Sequence, residues 1–276
     1  MIKELVSIIT PSYNSSKFIE ETIASVQAQT YSHWEMLITD DGSTDNSYEI
    51  IKEICKKDSR IKLFSIKNAG PAVARNNSIK HAKGKYIAFL DSDDLWISNK
   101  LALQINFMKN NNFNFTFTSY MMIDEKSSII KNSLIQSLQK ISYNDMLSEN
   151  IIGCLTVIYN QEKLGKIYMP NIRKRQDYGL WFKILKNEKF AYGMKESLAY
   201  YRIGQSSLSK NKFDLIKWNW ILFHKVEKHS LFKSSYYLLL NIFNKFKKDI
   251  ILNQKINNFL SIKPKINSVN DPQIKL

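Results

Sequence analysis

Lys85-Tyr86-Ile87-Ala88-Phe89-Leu90-Asp91-Ser92-Asp93-Asp94 is an apolar run that ends abruptly in three carboxylates. Its β-branched, aromatic and aliphatic residues predict a buried strand. Burying that strand sends the acids to its carboxyl end, where sheets of alternating strands and helices hold their ligands. Carboxylates so close together repel unless a cation lies between them. Hard divalent ions such as Mg²⁺ take oxygen ligands and share them with substrate phosphates. The stretch therefore reads either as a metal–nucleotide site or as a solvated acidic turn in which Asp93 or Asp94 caps the next helix.

The chain before this stretch repeats the same grammar. Leu5-Val6-Ser7-Ile8-Ile9 predicts a first buried strand with Thr10-Pro11-Ser12-Tyr13-Asn14 as its exit loop. A helix follows, with Ser16 as its cap and Ile19, Ile23 and Val26 on one face. Glu35 to Thr39 predicts a second strand leading into Asp40-Asp41-Gly42-Ser43-Thr44-Asp45, then a helix, a short strand Ile61 to Phe64, and a turn Asn68-Ala69-Gly70-Pro71 into a helix that stops at Gly84. Strands alternating with helices imply right-handed crossovers and a mostly parallel sheet covered on both faces. The polar loops at Tyr13, Asp41, Gly70 and residues 91–93 then leave the same edge of that sheet. No Gly-x-Gly-x-x-Gly and no Gly-x-x-x-x-Gly-Lys-Ser/Thr occurs, which argues against a dinucleotide oxidoreductase and a P-loop ATPase. With few glycines to cradle phosphate, charge neutralisation falls to a metal held by Asp91 and Asp93.

After Lys100 the pattern loosens. Phe113 to Thr118 alternates like a strand, Asn150 to Tyr159 is β-rich, and Arg173-Lys174-Arg175-Gln176-Asp177-Tyr178-Gly179-Leu180-Trp181 leads into a helix beginning near Asp177. Asp177 reads in two ways, as that helix's N-cap or as a general base whose pKa the nearby rings raise.

Composition narrows the class. A 44% hydrophobic and 24% charged chain of 276 residues is that of a folded protein with a substantial core. The net charge of +15 calls for an anionic partner. It is concentrated late: twelve Lys against three acids between Lys210 and Lys265 give +9. Cys55 and Cys154 are too few for a disulfide framework and lack zinc spacing, which predicts a reducing compartment. The start of the chain has no signal-like apolar core and no stretch is long enough to span a bilayer, so a cytoplasmic protein is expected, at most lying on a membrane.

Five stretches together resemble the family 2 glycosyltransferases of the GT-A fold. They are Ser7 to Asn14, Asp40 to Asp45, Asn68-Ala69-Gly70 with Ala74-Arg75-Asn76, Phe89 to Asp94, and Gln176 to Trp181, in family order and covering residues 5–205. The resemblance implies an α/β protein with a Rossmann-like, mostly parallel sheet flanked by helices and a C-terminal helical extension. It also implies transfer of a sugar from a nucleotide sugar, most often a UDP-sugar, with inversion at the anomeric carbon. Carried over, Thr10, Pro11 and Tyr13 line the base pocket, Asp41 accepts a hydrogen bond from uracil, Arg75 lies near the nucleotide, Asp91 reaches ribose or metal, and Asp93 binds Mg²⁺ or Mn²⁺. Asp94 is structural and Asp177 resembles the catalytic base. Where many relatives have Glu before this acid, this chain has Gln176. Arg175, Trp181 and Arg202, the last followed by Ser206, Ser207 and Ser209, are further candidates for diphosphate or acceptor contacts.

The expected organisation is a nucleotide-sugar half (1–100), an acceptor half with the base (101–209) and a basic aromatic helical tail (210–276). Residues 213–259 interleave Trp, Phe and Tyr with Lys, and this segment either lies on an anionic membrane or packs on the catalytic domain. The function expected is transfer to a saccharide or lipid-linked acceptor in surface polysaccharide synthesis. A nucleotidyltransferase would place a basic, glycine-rich loop after the first strand, and residues 10–14 are not one. A basic nucleic-acid-binding protein would explain the tail, but an acid-lined crevice repels phosphates, so no nucleic acid is expected as a partner.

Overall fold

In the computed structural model, which describes residues 4–204 and 212–261, the first part of the chain alternates strand and helix as its apolar periodicity dictates. It forms β1 (Val6–Ser12), α1 (Ile19–Gln27), β2 (Trp34–Asp40), α2 (Ser47–Lys57), β3 (Ile61–Ser65), α3 (Pro71–His81) and β4 (Tyr86–Phe89). β2 and β4 are buried along their whole length, as near-continuous apolar strands covered on both faces must be. β1 pairs in parallel with β2 and β4, and β2 with β3. The loops after these strands therefore share one edge, as expected from the sequence.

Two local expectations are corrected. α1 starts at Ile19 with Phe18 at the cap, so Ser16 stands two residues too early to cap it and instead donates its amide to the Asp45 carboxylate at 3.1 Å. α3 ends at His81, and Gly84 serves a different need: a Cβ there would stand 2.6 Å from the Leu5 carbonyl oxygen, where the chain entering β4 passes the start of β1.

Beyond β4 the sheet becomes mixed. The chain continues through β5 (Leu95–Trp96), α4 (Lys100–Asn111), β6 (Phe115–Ile123), β7 (Lys140–Ile141), α5 (Tyr143–Ser148), a 3-10 turn (Cys154–Thr156), β8 (Ile158–Asn160), α6 (Gln161–Leu164), α7 (Gln176–Asn187) and β9 (Ala191–Arg202). Of the β-rich run at residues 150–159, only its end is strand. Among the described residues the strands form one sheet in the order β3-β2-β1-β4-β8-β6-β9-β5, with β7 on β9. β8 runs antiparallel to β4 and β6, β9 parallel to β6, and β5 antiparallel to β9. Strands from before and after residue 100 thus share one hydrogen-bonded sheet.

A core lies on each face. One unites Ile9, Leu37 and Phe89 with Phe115, Tyr178, Trp181 and Phe182, and the other unites Ile8, Met36 and Ala88 with Ile19, Ile23 and Ile105. The tail joins the first through α8 (Lys212–Ile221), a π-helical turn (Leu222–Val226) and α9 (Leu231–Ser261). Leu222 and Phe223 are fully buried, and the Phe223 ring meets Tyr178 and Phe182. The first part of the tail therefore packs on the catalytic domain. Among the described residues no helix is long and apolar enough to cross a membrane. Ser206, Ser207 and Ser209, and the boundary expected near residue 210, lie outside the described residues.

Candidate active site

The loop after β1 and the loop after β2 are bound to each other. The Asp41 amide donates to Ser12 O at 2.8 Å, the Asn14 amide to Ser43 Oγ at 3.0 Å, and the Thr44 amide to Asn14 Oδ1 at 2.8 Å. Burial works against the charge on Asp45, yet hydrogen bonds from Ser47 and Ser16 hold its pKa down at about 2, so it is a fixed anion that locks the two loops. Asn14 takes a left-handed φ of 48°, a conformation asparagine tolerates, and Tyr13 beside it is 51% exposed with its ring presented at the edge. Pro11 is half-buried. Thr10 is different: it is fully buried, so it underlies the loop and does not line a base pocket.

Asp41 is buried and its two oxygens accept the amides of Ala69 (2.7 Å) and Gly70 (2.8 Å). Each oxygen keeps a further lone pair for a ligand donor, and its position is fixed by the backbone that opens α3. Gly70 has φ 95°, outside the comfortable range of other residues, and Pro71 then starts the helix.

From α3, Arg75 reaches the end of β4. Its Nη2 donates to Asp91 Oδ1 at 2.5 Å, while its Nε and Nη1 are buried without a partner. Burial disfavours the cation, but the charge and hydrogen bond of Asp91, with smaller contributions from Cys154 and Asp177, together outweigh it and hold the guanidinium firmly protonated. Asp93 is exposed. The protein mass around it, and then the Asp91 carboxylate, push its pKa up to about 6. Asp94 is buried, accepts the Arg202 amide at 2.9 Å, and is pushed well up by burial and by Asp93 and Asp91.

Asp177 is neither at the helix cap nor on a free surface. α7 begins at Gln176, with Arg175 at the cap in a left-handed conformation (φ 67°), so Asp177 sits in the first turn. Burial raises its pKa, opposed by the Tyr178 amide and by the charges of Arg175 and Arg75. Arg75 is paired with Asp91, and its charge also acts on Asp177 and is acted on by it. Gln176 is buried with Oε1 unpartnered, and Arg175 is half-buried with Nε unpartnered.

Two candidates are corrected by their burial. The Trp181 ring is fully buried against Phe89 and Phe115 and cannot touch an acceptor. Arg202 is also buried, and its guanidinium donates to Asp93 O (2.7 Å), Asp124 O (3.2 Å), Ser127 Oγ (2.9 Å) and the Glu21 carboxylate (2.8 Å). It braces the acidic loop from behind, leaving it no reach toward a diphosphate.

Other residues enter the site that the motifs alone did not assign. The Cys154 thiol feels Asp91, Arg75 and Asp177, and is held protonated by burial and by the Asp91 charge. Asn76 exchanges hydrogen bonds with the Met169 backbone (2.8 and 3.0 Å), tying α3 to the loop that leads to Asp177. A polar amide beside Arg75 was the signal for Asn76; nothing local marks Cys154. A separate cavity of about 600 Å³ lies at the opposite edge of the sheet, beside Glu4, Lys85, Gln161 and Glu162, away from all these acids.

Comparison with known proteins gives a consistent picture. Residues 7–231 match the family model described as glycosyl transferase family 2. The chain is 42% identical over 247 residues to the Bacillus subtilis glycosyltransferase TuaG, named for teichuronic acid biosynthesis, covering 89% of this chain and 98% of that one. It is 44% identical over 218 residues to WfgD of Escherichia coli, named as a UDP-Glc:α-D-GlcNAc-diphosphoundecaprenol β-1,3-glucosyltransferase, covering 78% and 84% respectively. Among solved structures, Staphylococcus aureus TarS 1–349 in complex with UDP-GlcNAc superposes with a TM-score of 0.65 at 21% identity, over 79% of this chain and 65% of that one. That likeness establishes the GT-A fold.

Proposed function

The chain belongs to glycosyl transferase family 2, and we propose that it moves a hexose or N-acetylhexosamine from a UDP-sugar to a lipid-linked saccharide, with inversion, in the cytoplasmic assembly of a surface polysaccharide. The observation that carries this reading is the buried Arg75: it is ion-paired with Asp91 at the end of β4, the edge from which the loops after β1 and β2 also leave, and its charge reaches Asp177. The names of TuaG and WfgD support the pathway and the lipid-linked acceptor.

Tyr13 stacks on the base, Pro11 borders it, and Asp41 accepts from its ring nitrogen. The exposed Asp93 and the half-exposed Asp91 suit a Mg²⁺ or Mn²⁺ ion, since a carboxylate pushed up to about 6 gains from a cation that brings its own phosphate ligands. When bound, that ion offsets the charge of the departing UDP. Arg75 holds Asp91 in place and keeps Asp177 from rising further. Asp177 takes the proton from the acceptor hydroxyl as that oxygen attacks the anomeric carbon, and its raised pKa makes it a better base than a solvated aspartate. Work on a lipid-linked acceptor sets the enzyme at a membrane surface.

A thermal-shift panel of UDP-, GDP-, TDP- and CMP-sugars, each with and without Mn²⁺, tests the donor assignment. Stabilisation by UDP-sugars that needs Mn²⁺ and disappears in Asp93→Ala is expected. Equal response to all four, or none, overturns it.

A further inference from the structure

α9 lies on the sheet domain through Ser234, Tyr237 and Asn241. Ser234 and Asn241, two turns apart, are buried, and the side-chain amides of Asn241 and Asn244 donate to Leu147 O (2.8 Å) and Ser148 O (3.2 Å) of α5. The outer side carries Phe232, Tyr236, Leu239, Phe243 and Phe246, all between 57% and 86% exposed. Their alternating spacing of four and three keeps them in one line along the helix. Single exposed apolar residues are ordinary, whereas a continuous aromatic line facing water is a contact surface.

Charge decides what it contacts. Lys233 and Lys247 flank the line and are exposed, Lys225 and Lys228 are exposed just before it, and residues 231–247 contain no acid. In a second copy packed on the same line, lysines would meet lysines with no carboxylate between them. An anionic lipid surface instead offers headgroup phosphates to the lysines and the interfacial zone to the rings.

We propose that the outer face of α9 docks the enzyme on an anionic bilayer through Phe232, Tyr236, Leu239, Phe243 and Phe246, with Lys233 and Lys247 at the headgroups. This deepens the reading of a lipid-linked acceptor and rests on it for its purpose, though not for its geometry. The docked helix is joined to the chemistry by short steps. It bonds to α5, the Tyr178 hydroxyl donates to Met146 O of α5, and Asp177 precedes Tyr178 on α7. Docking therefore links the bilayer, through α5, to the helix that carries Asp177.

The test is co-sedimentation of the full chain with vesicles of pure phosphatidylglycerol and of pure phosphatidylcholine. It compares wild type with Phe232→Ser/Phe243→Ser/Phe246→Ser and with Lys233→Glu/Lys247→Glu. All five positions are exposed, and UDP-induced thermal stabilisation serves as the check that the folded site survives. The wild type is expected to bind phosphatidylglycerol vesicles and to release them in high salt. Each lysine lost should weaken partitioning about fivefold and each phenylalanine roughly tenfold. Undiminished sedimentation of both variants overturns the proposal, as does equal binding of the wild type to both lipids. A wild-type dimer that the phenylalanine variant converts to monomer also overturns it in favour of self-association. Loss of the UDP response in the wild type would instead count against the reaction, leaving the vesicle result standing.

Discussion

Asp177, the proposed base, sits one residue inside its helix, where it is crowded by protein and restrained by the Tyr178 amide and two arginines. Asp177→Asn is expected to lower turnover by a factor of roughly 10²–10⁴ while UDP still stabilises the protein, because only the proton acceptor is lost. The sign of the pH dependence follows from the direction of the shift. A base works when ionised, so kcat/KM should fall as pH falls through a value above the ordinary 3.8 of an aspartate. Replacing Arg75 by Gln removes a charge that lowers this pKa, so the acid limb should move to higher pH; an unmoved limb would take Arg75 out of the electrostatics of the base. The acids stood out in the sequence because they fall in three short motifs, Asp40 to Asp45, Phe89 to Asp94 and Gln176 to Trp181. The burial of Trp181 and Arg202 did not, since their partners, Phe89 for the one and Glu21 and Asp124 for the other, are distant in sequence and only the folded chain brings them together.

Among the elements, α7 is fixed by a close approach. A Cβ on Gly179 would stand 2.5 Å from Pro170 Cγ, so this helix lies on the loop after Met169 with no room to spare. Gly179→Ala should cost about 1–3 kcal/mol of stability through overpacking, read as a lowered denaturation midpoint. It should also impair kcat, because moving α7 moves Asp177. α4 presents another burial. Lys100 at its start is fully buried over the Trp96 ring and donates to Gln104 Oε1 at 2.5 Å. Burial brings its pKa down to about 7 from 10.5. The unfolded chain then holds the proton that the folded chain has released, so stability should rise with pH between about 7 and 10.5. Lys100→Met should flatten that part of the profile relative to wild type, measured by urea unfolding at a series of pH values. Apolar spacing revealed α1, and it also predicted a helix near Asp177, which is α7. It did not reveal α4, and it could not show that α7 is enclosed on nearly all sides, with Tyr178, Leu180, Trp181 and Phe182 all buried.

At the scale of the whole molecule, the tail is two things joined end to end. Leu222 and Phe223 complete the core around Tyr178 and Phe182, and Glu227 is buried against Lys186 (2.8 Å) and the Tyr143 hydroxyl (2.5 Å). Composition revealed its charge and aromatics but could not separate the rings that pack from those that face outward, because both groups have the same residue types. Phe223→Ala should cost about 3–5 kcal/mol, and a chain ended at Lys210 should be insoluble or markedly less stable by thermal unfolding. A chain ended after Ser230 keeps Leu222 and Phe223 and should lose less.

The path of the sheet also limits how such enzymes can be recombined. β5 belongs by sequence to the nucleotide half, yet it closes the far end of the sheet against β9, where Leu95 faces Tyr200 and Trp96 faces Ala199. β8, from the acceptor half, is stitched to β4 through Tyr86, Ile87 and Ala88. A chimera cut at residue 100 to exchange acceptor preference would set two foreign strands against each other at both seams. A graft confined to residues 124–157 leaves both ladders native, and it is there that new acceptor specificity is most cheaply exchanged between relatives.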